Sequence, residues 1–398
     1  MEKGEETKPR TRLVRKWEEF VSVNCERGVI VILSLYMTTA RRRLEQEVSP
    51  PLETCFTRLL SEWGLRLACS LMLVVALRSV GYGEPLSSPY ATLPERGTHE
   101  PLSPILPPVV EDGPQTRLGE RLFHDPRLSH DNRQSCTTCH PLDRGGMDGQ
   151  PCAVATDGLP RLRNTPTIFN VGLNFWFNWD GTAHTLEAHA ERLLRNPAVM
   201  NTTWPELRGK LEREADYVSA FRTAYVDGLT WNNVIAALVS FERSLVTPHS
   251  RFDRYLRGEQ QALTAEEQQG YEFFKSYGCV ACHQGVNIGG NMFAKFGVFQ
   301  PPNGTGEEDV DSGRYNVTHR PQDVQVFRVP SLRNVAMTAP YFHDGRAPTL
   351  AVAVDTMARV QLGKELSPEE IGLIIEFLQT LTGDYRGAPI RAPTPRAD

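Results

Sequence analysis

The chain has 398 residues, of which 40% are apolar and 23% charged, with a formal net charge of −5 at pH 7. That balance belongs to a globular protein of about two or three domains and excludes a disordered, collagen-like or polytopic membrane chain. Residues 84–398 carry 30 Lys/Arg against 38 Asp/Glu, so they offer no basic patch for releasing counterions, and nucleic acid is not an expected partner.

Residues 1–83 hold 13 Lys/Arg against 10 Asp/Glu. Within them Arg66 precedes an apolar run of 11 residues, Leu67–Leu77, followed by Ser79 and Gly81, the order of an export signal. The run is too short for a spanning helix of about 20 residues. Arg78 and the lack of an Ala-x-Ala site leave an uncleaved anchor or a buried helix as other readings. A second apolar stretch, Gly28–Met37, is explained if translation starts downstream. Residues 1–83 are therefore read as a leader outside the fold, and the protein as periplasmic or otherwise exported. Residues 84–114, rich in Pro, Ser and Gly, read as an extended segment.

From residue 115 the pattern is mainly helical. Trp231–Leu245 places Val234, Leu238, Phe241 and Leu245 on one helical stripe. Thr264 and Glu267 form a capping box that opens a helix running to about Tyr277. Ser367 and Glu370 repeat the device with Pro368 at the first helical position, ahead of Ile371, Ile374, Ile375, Leu378 and Leu381. The long loop Gly285–Gly313 is typical of a fold that wraps a large group.

The eight cysteines sharpen this reading. Cys25, Cys55 and Cys69 fall in the leader, and Cys152 is either a packed thiol or a pocket residue. The other four form Cys136-Thr-Thr-Cys139-His140 and Cys279-Val-Ala-Cys282-His283, two copies of the c-type haem attachment pattern 143 positions apart. Two thiols at this spacing can add to the vinyl groups of one haem while the adjacent histidine faces the iron. A lone copy could be a zinc half-site or a redox dithiol. Two copies in an exported chain favour haem, whose attachment takes place outside the cytoplasm.

Leu118-Gly-Glu-Arg-Leu-Phe123 precedes the first motif and Gly270-Tyr-Glu-Phe-Phe274 the second, which predicts two related cytochrome-c-like domains. The expected organisation is an N-terminal haem domain over 115–246, a linker over 247–261, a C-terminal haem domain over 262–384 and a tail over 385–398. A thioether ligand for the second haem could come from Met292, Met337 or Met357, and spacing does not choose among them.

The chain resembles the bacterial di-haem cytochrome c peroxidases and the related MauG-type enzymes. The resemblance covers roughly Leu118–Gly383. It rests on Leu122-Phe-His-Asp-Pro-Arg-Leu-Ser129, the two haem motifs, Gly145-Gly-Met-Asp-Gly149, Arg163-Asn-Thr-Pro-Thr167, Trp179-Asp-Gly181, Phe252-Asp-Arg-Tyr-Leu256, Leu332-Arg-Asn-Val335 and Ala339-Pro-Tyr-Phe-His343. It implies two covalently bound haem c groups. The C-terminal haem, ligated by His283 and Met357, would receive electrons from a small cytochrome c or copper protein. The N-terminal haem, ligated by His140, would react with hydrogen peroxide according to H₂O₂ + 2 e⁻ + 2 H⁺ → 2 H₂O. Trp179 would carry electrons between them, its alternative being an ordinary core tryptophan. The resemblance also implies a Ca²⁺ held by the Asn164 side chain and the carbonyls of Thr338 and Pro340, a hard-oxygen set that suits that ion. A homodimer is often found in this family.

The departures from the family pattern gather on the distal side of the first haem. Thr156 stands at the place of a distal histidine, Val199 at that of the acid/base glutamate and His189 at that of a glutamine. An unlocked first haem, with His189 as substitute acid/base, is the expected consequence, since an ordinary histidine titrates near neutral pH. The other role for His189 is to pack or cap a helix, and His184, one turn earlier, is a weaker and exposed candidate. Two alternative functions follow from the same residues. One is MauG-type oxidation of aromatic residues in a partner protein, against which Met357 stands because those enzymes have tyrosine there. The other is an electron-transfer or signalling cytochrome without peroxidase activity.

Overall fold

The computed structural model describes residues 100–106, 113–153, 163–301 and 311–393. The leader 1–83, most of the 84–114 segment and Thr156 lie outside the described residues. The helices are α1 Pro114–Phe123, α2 Cys136–Cys139, α3 Leu186–Arg195, α4 Trp204–Glu212, α5 Ala215–Ala224, α6 Trp231–Ser244, α7 Arg251–Leu256, α8 Ala265–Ser276, α9 Tyr315–Thr318, α10 Leu350–Leu362 and α11 Pro368–Gln379. Among the described residues, strands are confined to two small antiparallel pairs: β1 Phe293–Lys295 with β2 Val326–Arg328, and β3 Asp384–Tyr385 with β4 Ala388–Pro389. The fold is mainly α-helical, as its sequence periodicity predicts.

Helix starts follow their capping side chains. Thr264 accepts from the Glu267 N–H while the Glu267 carboxylate accepts from the Thr264 N–H, and Ser367 and Glu370 do the same for α11. Thr185, Thr230 and Thr349 cap α3, α6 and α10. The apolar faces then build two cores. One joins Leu118, Leu122 and Phe123 of α1 to Val234, Leu238 and Phe241 of α6. The other joins Tyr271 and Phe274 of α8 to Ile374, Phe377 and Leu378 of α11.

The two cores are built alike. At the α1–α6 crossing a Cβ on Gly119 would lie 1.9 Å from the Ala237 carbonyl oxygen, and at the α8–α11 crossing a Cβ on Gly270 would lie 1.9 Å from that of Leu373. Only glycine permits either approach. Asn170 and Asn334, 164 positions apart, both adopt left-handed backbone before short 3₁₀ turns. Their N–H groups bond Leu245 O and Leu381 O (2.7 and 3.1 Å). The same offset relates the bridges Phe177–Ala183 and Tyr341–Ala347 and the caps of α3 and α10. The chain thus repeats itself at a spacing that the haem motifs, 143 positions apart, do not share.

The expected linker and tail are packed. Segment 247–261 contains α7, whose Phe252 and Asp253 are fully buried. Asp253 Oδ1 accepts from Arg333 Nη1 (2.7 Å) and from the Ile105 N–H (2.9 Å), and Arg333 Nη2 donates to Ser103 O (2.8 Å). This buried ion pair anchors residues 103–105 of the extended segment to the second core. In the tail, Ile390 is buried in the first core. The described residues belong to one compact unit.

Two glycine substitutions in the same helix pair test the crossing. Gly270→Ala is expected to cost about 3 kcal/mol, the upper end of the roughly 1–3 kcal/mol of an overpacked core, because the atom met is backbone. Gly372→Ala in α11, where a Cβ meets nothing within 4 Å, should gain roughly 0.5–1 kcal/mol. Urea unfolding of the holoprotein distinguishes them, and similar effects of the two would contradict the close approach.

Candidate haem sites

Ser135 caps α2, and its N–H donates to Thr138 Oγ1 (3.0 Å), which sets Cys136 and Cys139 one turn apart at the helix start. The chain turns back through Gly145 and Gly146, both at positive φ, so the Gly146 carbonyl accepts from His140 Nδ1 (3.0 Å). In the second motif His283 Nδ1 meets Ile288 O at 3.3 Å. A proton held on Nδ1 leaves the Nε2 lone pair for a metal. Burial lowers the pKa of both histidines, that of His283 to about 4, so both are neutral at pH 7. Burial likewise pushes the Cys139 and Cys279 thiols up to about 11. Among the described residues no group of three or more His, Cys, Asp or Glu gathers as a metal site.

A cavity of about 240 Å³ adjoins the second motif, lined by Cys279, Cys282, His283, Phe342, Met357 and Ile374 among others. Of the three methionines that spacing left open, Met357 lines it. Met337 instead packs on the first core, and Met292 is joined through its carbonyl to the Val329 N–H (3.0 Å). Asn164, Thr338 and Pro340 border the same cavity. Asn164 Nδ2 donates to Gln150 O (2.7 Å), which orients the amide.

Arg328, 4% exposed, also lines this cavity. Its Nε donates to Asn178 O (3.1 Å), but Nη1 is buried without a partner. Burial lowers its pKa to about 10. A buried guanidinium needs an anion, and haem propionates are anions of the right kind for a cavity bearing this motif. The residues present therefore fit the group that the motif implies.

Trp179 is buried, its Nε1 donating to Asn164 O (2.9 Å), and its ring meets His343 edge-on at 6.3 Å between centroids. These two residues are equivalent in the repeat. Each carbonyl accepts from the other half: Arg328 N–H to Trp179 O (2.8 Å) and Asn164 N–H to His343 O (2.6 Å). By the same offset Met357 corresponds to Leu193 and the cavity-lining Ala353 to His189.

His189 lies on α3, with Nε2 3.0 Å from Asn178 Oδ1, while Nδ1 is sealed from solvent and unpartnered. Burial first, then the neighbouring His140 ring and the Arg328 and Arg192 guanidiniums, which oppose a second positive charge here, lower its pKa to about 4. The expectation of titration near neutrality is corrected: this imidazole is neutral at pH 7. Val199 packs against the first core, and His184 is exposed beside Trp176. Cys152 is half-buried, its thiol raised by burial and 3.9 Å from Asp344 O.

Arg328 and Glu242 carry no signal in the sequence that sets them apart. The latter is buried in α6, and burial raises it to about 8. Only their burial marks them, and no local pattern announces it.

Residues 114–261 match the family described as di-haem cytochrome c peroxidase. The chain is 41% identical over 295 residues to "Cytochrome c peroxidase Ccp" of Escherichia coli K12, covering 74% of this chain and 63% of that protein's length. It is 38% identical over 313 residues to "Cytochrome c551 peroxidase" of Nitrosomonas europaea, covering 78% of this chain and 92% of that one. Among solved structures it is similar to a MauG-like protein associated with microbial copper homeostasis, with a TM-score of 0.63, 28% identity and coverage of 74% and 96% of the two chains.

Arg328→Met should lower the reduction potential of the His283 haem, because a nearby positive charge stabilises the reduced form. Potentiometric titration followed at the Soret band measures it. An unchanged potential would mean that the guanidinium is not the haem's countercharge.

Proposed function

Because the chain belongs to the di-haem cytochrome c peroxidase family, a family of oxidoreductases, we propose that it reduces hydrogen peroxide to water with electrons from a small redox protein. The electrons arrive on the His283 side and pass by way of Trp179 to the His140 side. The observation that carries this reading is the asymmetry of two otherwise equivalent sites. Met357 faces the cavity of His283, whereas the equivalent residue on the other side is Leu193, which cannot ligate iron. A haem bound at each site would supply the one-electron chemistry and, at an open face, the site for peroxide.

The chain's own residues do the rest. His140 and His283 present neutral Nε2 atoms, Arg328 balances buried negative charge, and Trp179 lies in ring contact with His343 along the path. His189 Nδ1, a bare acceptor, takes a peroxide proton in place of the glutamate that Val199 cannot supply. Met357 favours peroxide reduction over oxidation of a partner protein, since a thioether raises the potential of its haem. The Asn164 side chain and the Thr338 and Pro340 carbonyls would hold a Ca²⁺. Covalent haem attachment places the protein outside the cytoplasm, and among the described residues no helix is long and apolar enough to cross a membrane.

Stopped-flow mixing of as-isolated and half-reduced protein with peroxide tests this. With Thr156 in place of a blocking histidine, the as-isolated protein should show a high-spin ferric signal and react without prior reduction. A wholly low-spin spectrum and an inert as-isolated form would overturn that. Because protonation removes the His189 acceptor, the rate should rise through about pH 4 and be level by about pH 6, and His189→Ala should lower it about 10²-fold or more. A midpoint near 6.5 would mean that another group is titrating.

A further inference from the structure

We propose that Asp180, Thr182 and Asn178 form a one-way hydrogen-bond chain that holds His189 with its proton on Nε2 and its Nδ1 lone pair bare. Asn178 and Thr182 are then positioning residues for the peroxide reaction. This rests on the reading of His189 as the proton acceptor.

Each step of the chain fixes the direction of the next. Asp180 is buried, and its Oδ2 accepts from Arg163 Nη1 (2.5 Å). A carboxylate beside a guanidinium only accepts, so Thr182 Oγ1, 2.6 Å from Asp180 Oδ1, must donate to it. With its proton committed, Thr182 Oγ1 accepts from Asn178 Nδ2 (2.9 Å). That choice turns Asn178 Oδ1 toward His189 Nε2 (3.0 Å). An amide oxygen cannot donate, so His189 Nε2 carries the proton. Nδ1 is left as an acceptor without a protein partner. A buried acceptor left unpaired costs about 1–3 kcal/mol, and a peroxide O–H is a donor that would satisfy it. The arrangement follows the logic of a base oriented from behind by a second group.

The repeat shows that the chain is not a requirement of the backbone. At the positions equivalent to Asn178, Thr182 and His189 the other half has Phe342, Arg346 and Ala353. There Arg346 Nε bonds Asp344 Oδ2 directly (2.5 Å) and the network stops. Asn178 and Phe342 share a left-handed backbone conformation, with φ of 63° and 74°, so only the side chains differ. The polar chain is present in the half that lacks the thioether and absent from the half that has it.

The titratable and charged groups facing His189 from neighbouring elements are the His140 imidazole and the Arg328 and Arg192 guanidiniums; the guanidiniums only donate, and the His140 proton is held on Nδ1 by Gly146 O. The test uses the holoprotein and four variants: His189→Ala, Thr182→Val, Thr182→Ser and Asn178→Asp. The readouts are the stopped-flow rate with peroxide against pH and a pH titration of the ferric Soret band. Thr182→Val frees the Asn178 amide to rotate and offer Nδ2, which selects the Nδ1–H tautomer. A rate loss of about tenfold or more is expected, with Thr182→Ser restoring it. Asn178→Asp should move the acid midpoint up by a unit or more in both readouts, because a carboxylate stabilises the imidazolium. If His189→Ala slows the reaction while Thr182→Val and Asn178→Asp match the parent, the orienting chain is wrong and the role of His189 stands. If His189→Ala changes nothing, both are wrong.

Discussion

The structure turns on two backbone hydrogen bonds, Asn164 N–H to His343 O and Arg328 N–H to Trp179 O, exchanged between equivalent positions of the repeat. Each ties the segment before one 3₁₀ turn to the aromatic residue beside the other site. The Trp179–His343 ring contact, the seating of Arg328 and the orientation of Asn164 all follow from this exchange. Neither half could slide along the other without breaking both bonds and leaving buried backbone groups unpaired, which is costly. Trp179 is therefore held by main chain on one side and by its Nε1 bond to Asn164 O on the other.

Around this nearly symmetric frame the side chains differ wherever the two sites would do different work. Trp179 faces His343, Leu193 answers Met357, His189 answers Ala353 and Asn178 answers Phe342. The substitutions leave the capping threonines, the positive-φ turns and the glycine crossings in place. One backbone thus supports a cavity lined by the Met357 thioether in one half and an imidazole with an unpartnered Nδ1 in the other. The asymmetry needs no rearrangement of elements, only a few residues on α3, α10 and the turns before them.

Much of this was legible beforehand for local reasons. The capping boxes at Thr264 and Ser367 and the stripe along Trp231–Leu245 depend on near neighbours, as do the haem motifs. What could not be read depends on distance in sequence. The repeat of 164 positions is hidden because its two copies keep backbone requirements, such as Asn170 and Asn334, while their side chains diverge. Segment 247–261 reads as a polar connection until Asp253 is seen to meet Arg333, 80 positions away. Arg328 and Glu242 look like ordinary surface charges in the sequence, and only tertiary packing removes them from water. Met357 could be separated from Met292 and Met337 by the cavity, which no spacing rule describes.

The acid/base role proposed for His189 is consistent with the electrostatics of its surroundings. A histidine of ordinary pKa near 6.5 is partly protonated at neutral pH, and its positive charge would stand close to the buried Arg328. The desolvation and positive neighbours that lower His189 to about 4 weaken it as a base. They also keep its lone pair available across the neutral range, which a buried carboxyl would not guarantee. Glu242 shows the alternative: desolvation raises that carboxyl to about 8, so at pH 7 it is mostly protonated and a poor acceptor. In an interior this dry, burial drives both kinds of group toward their neutral forms, and of the two neutral forms only the imidazole keeps a basic lone pair.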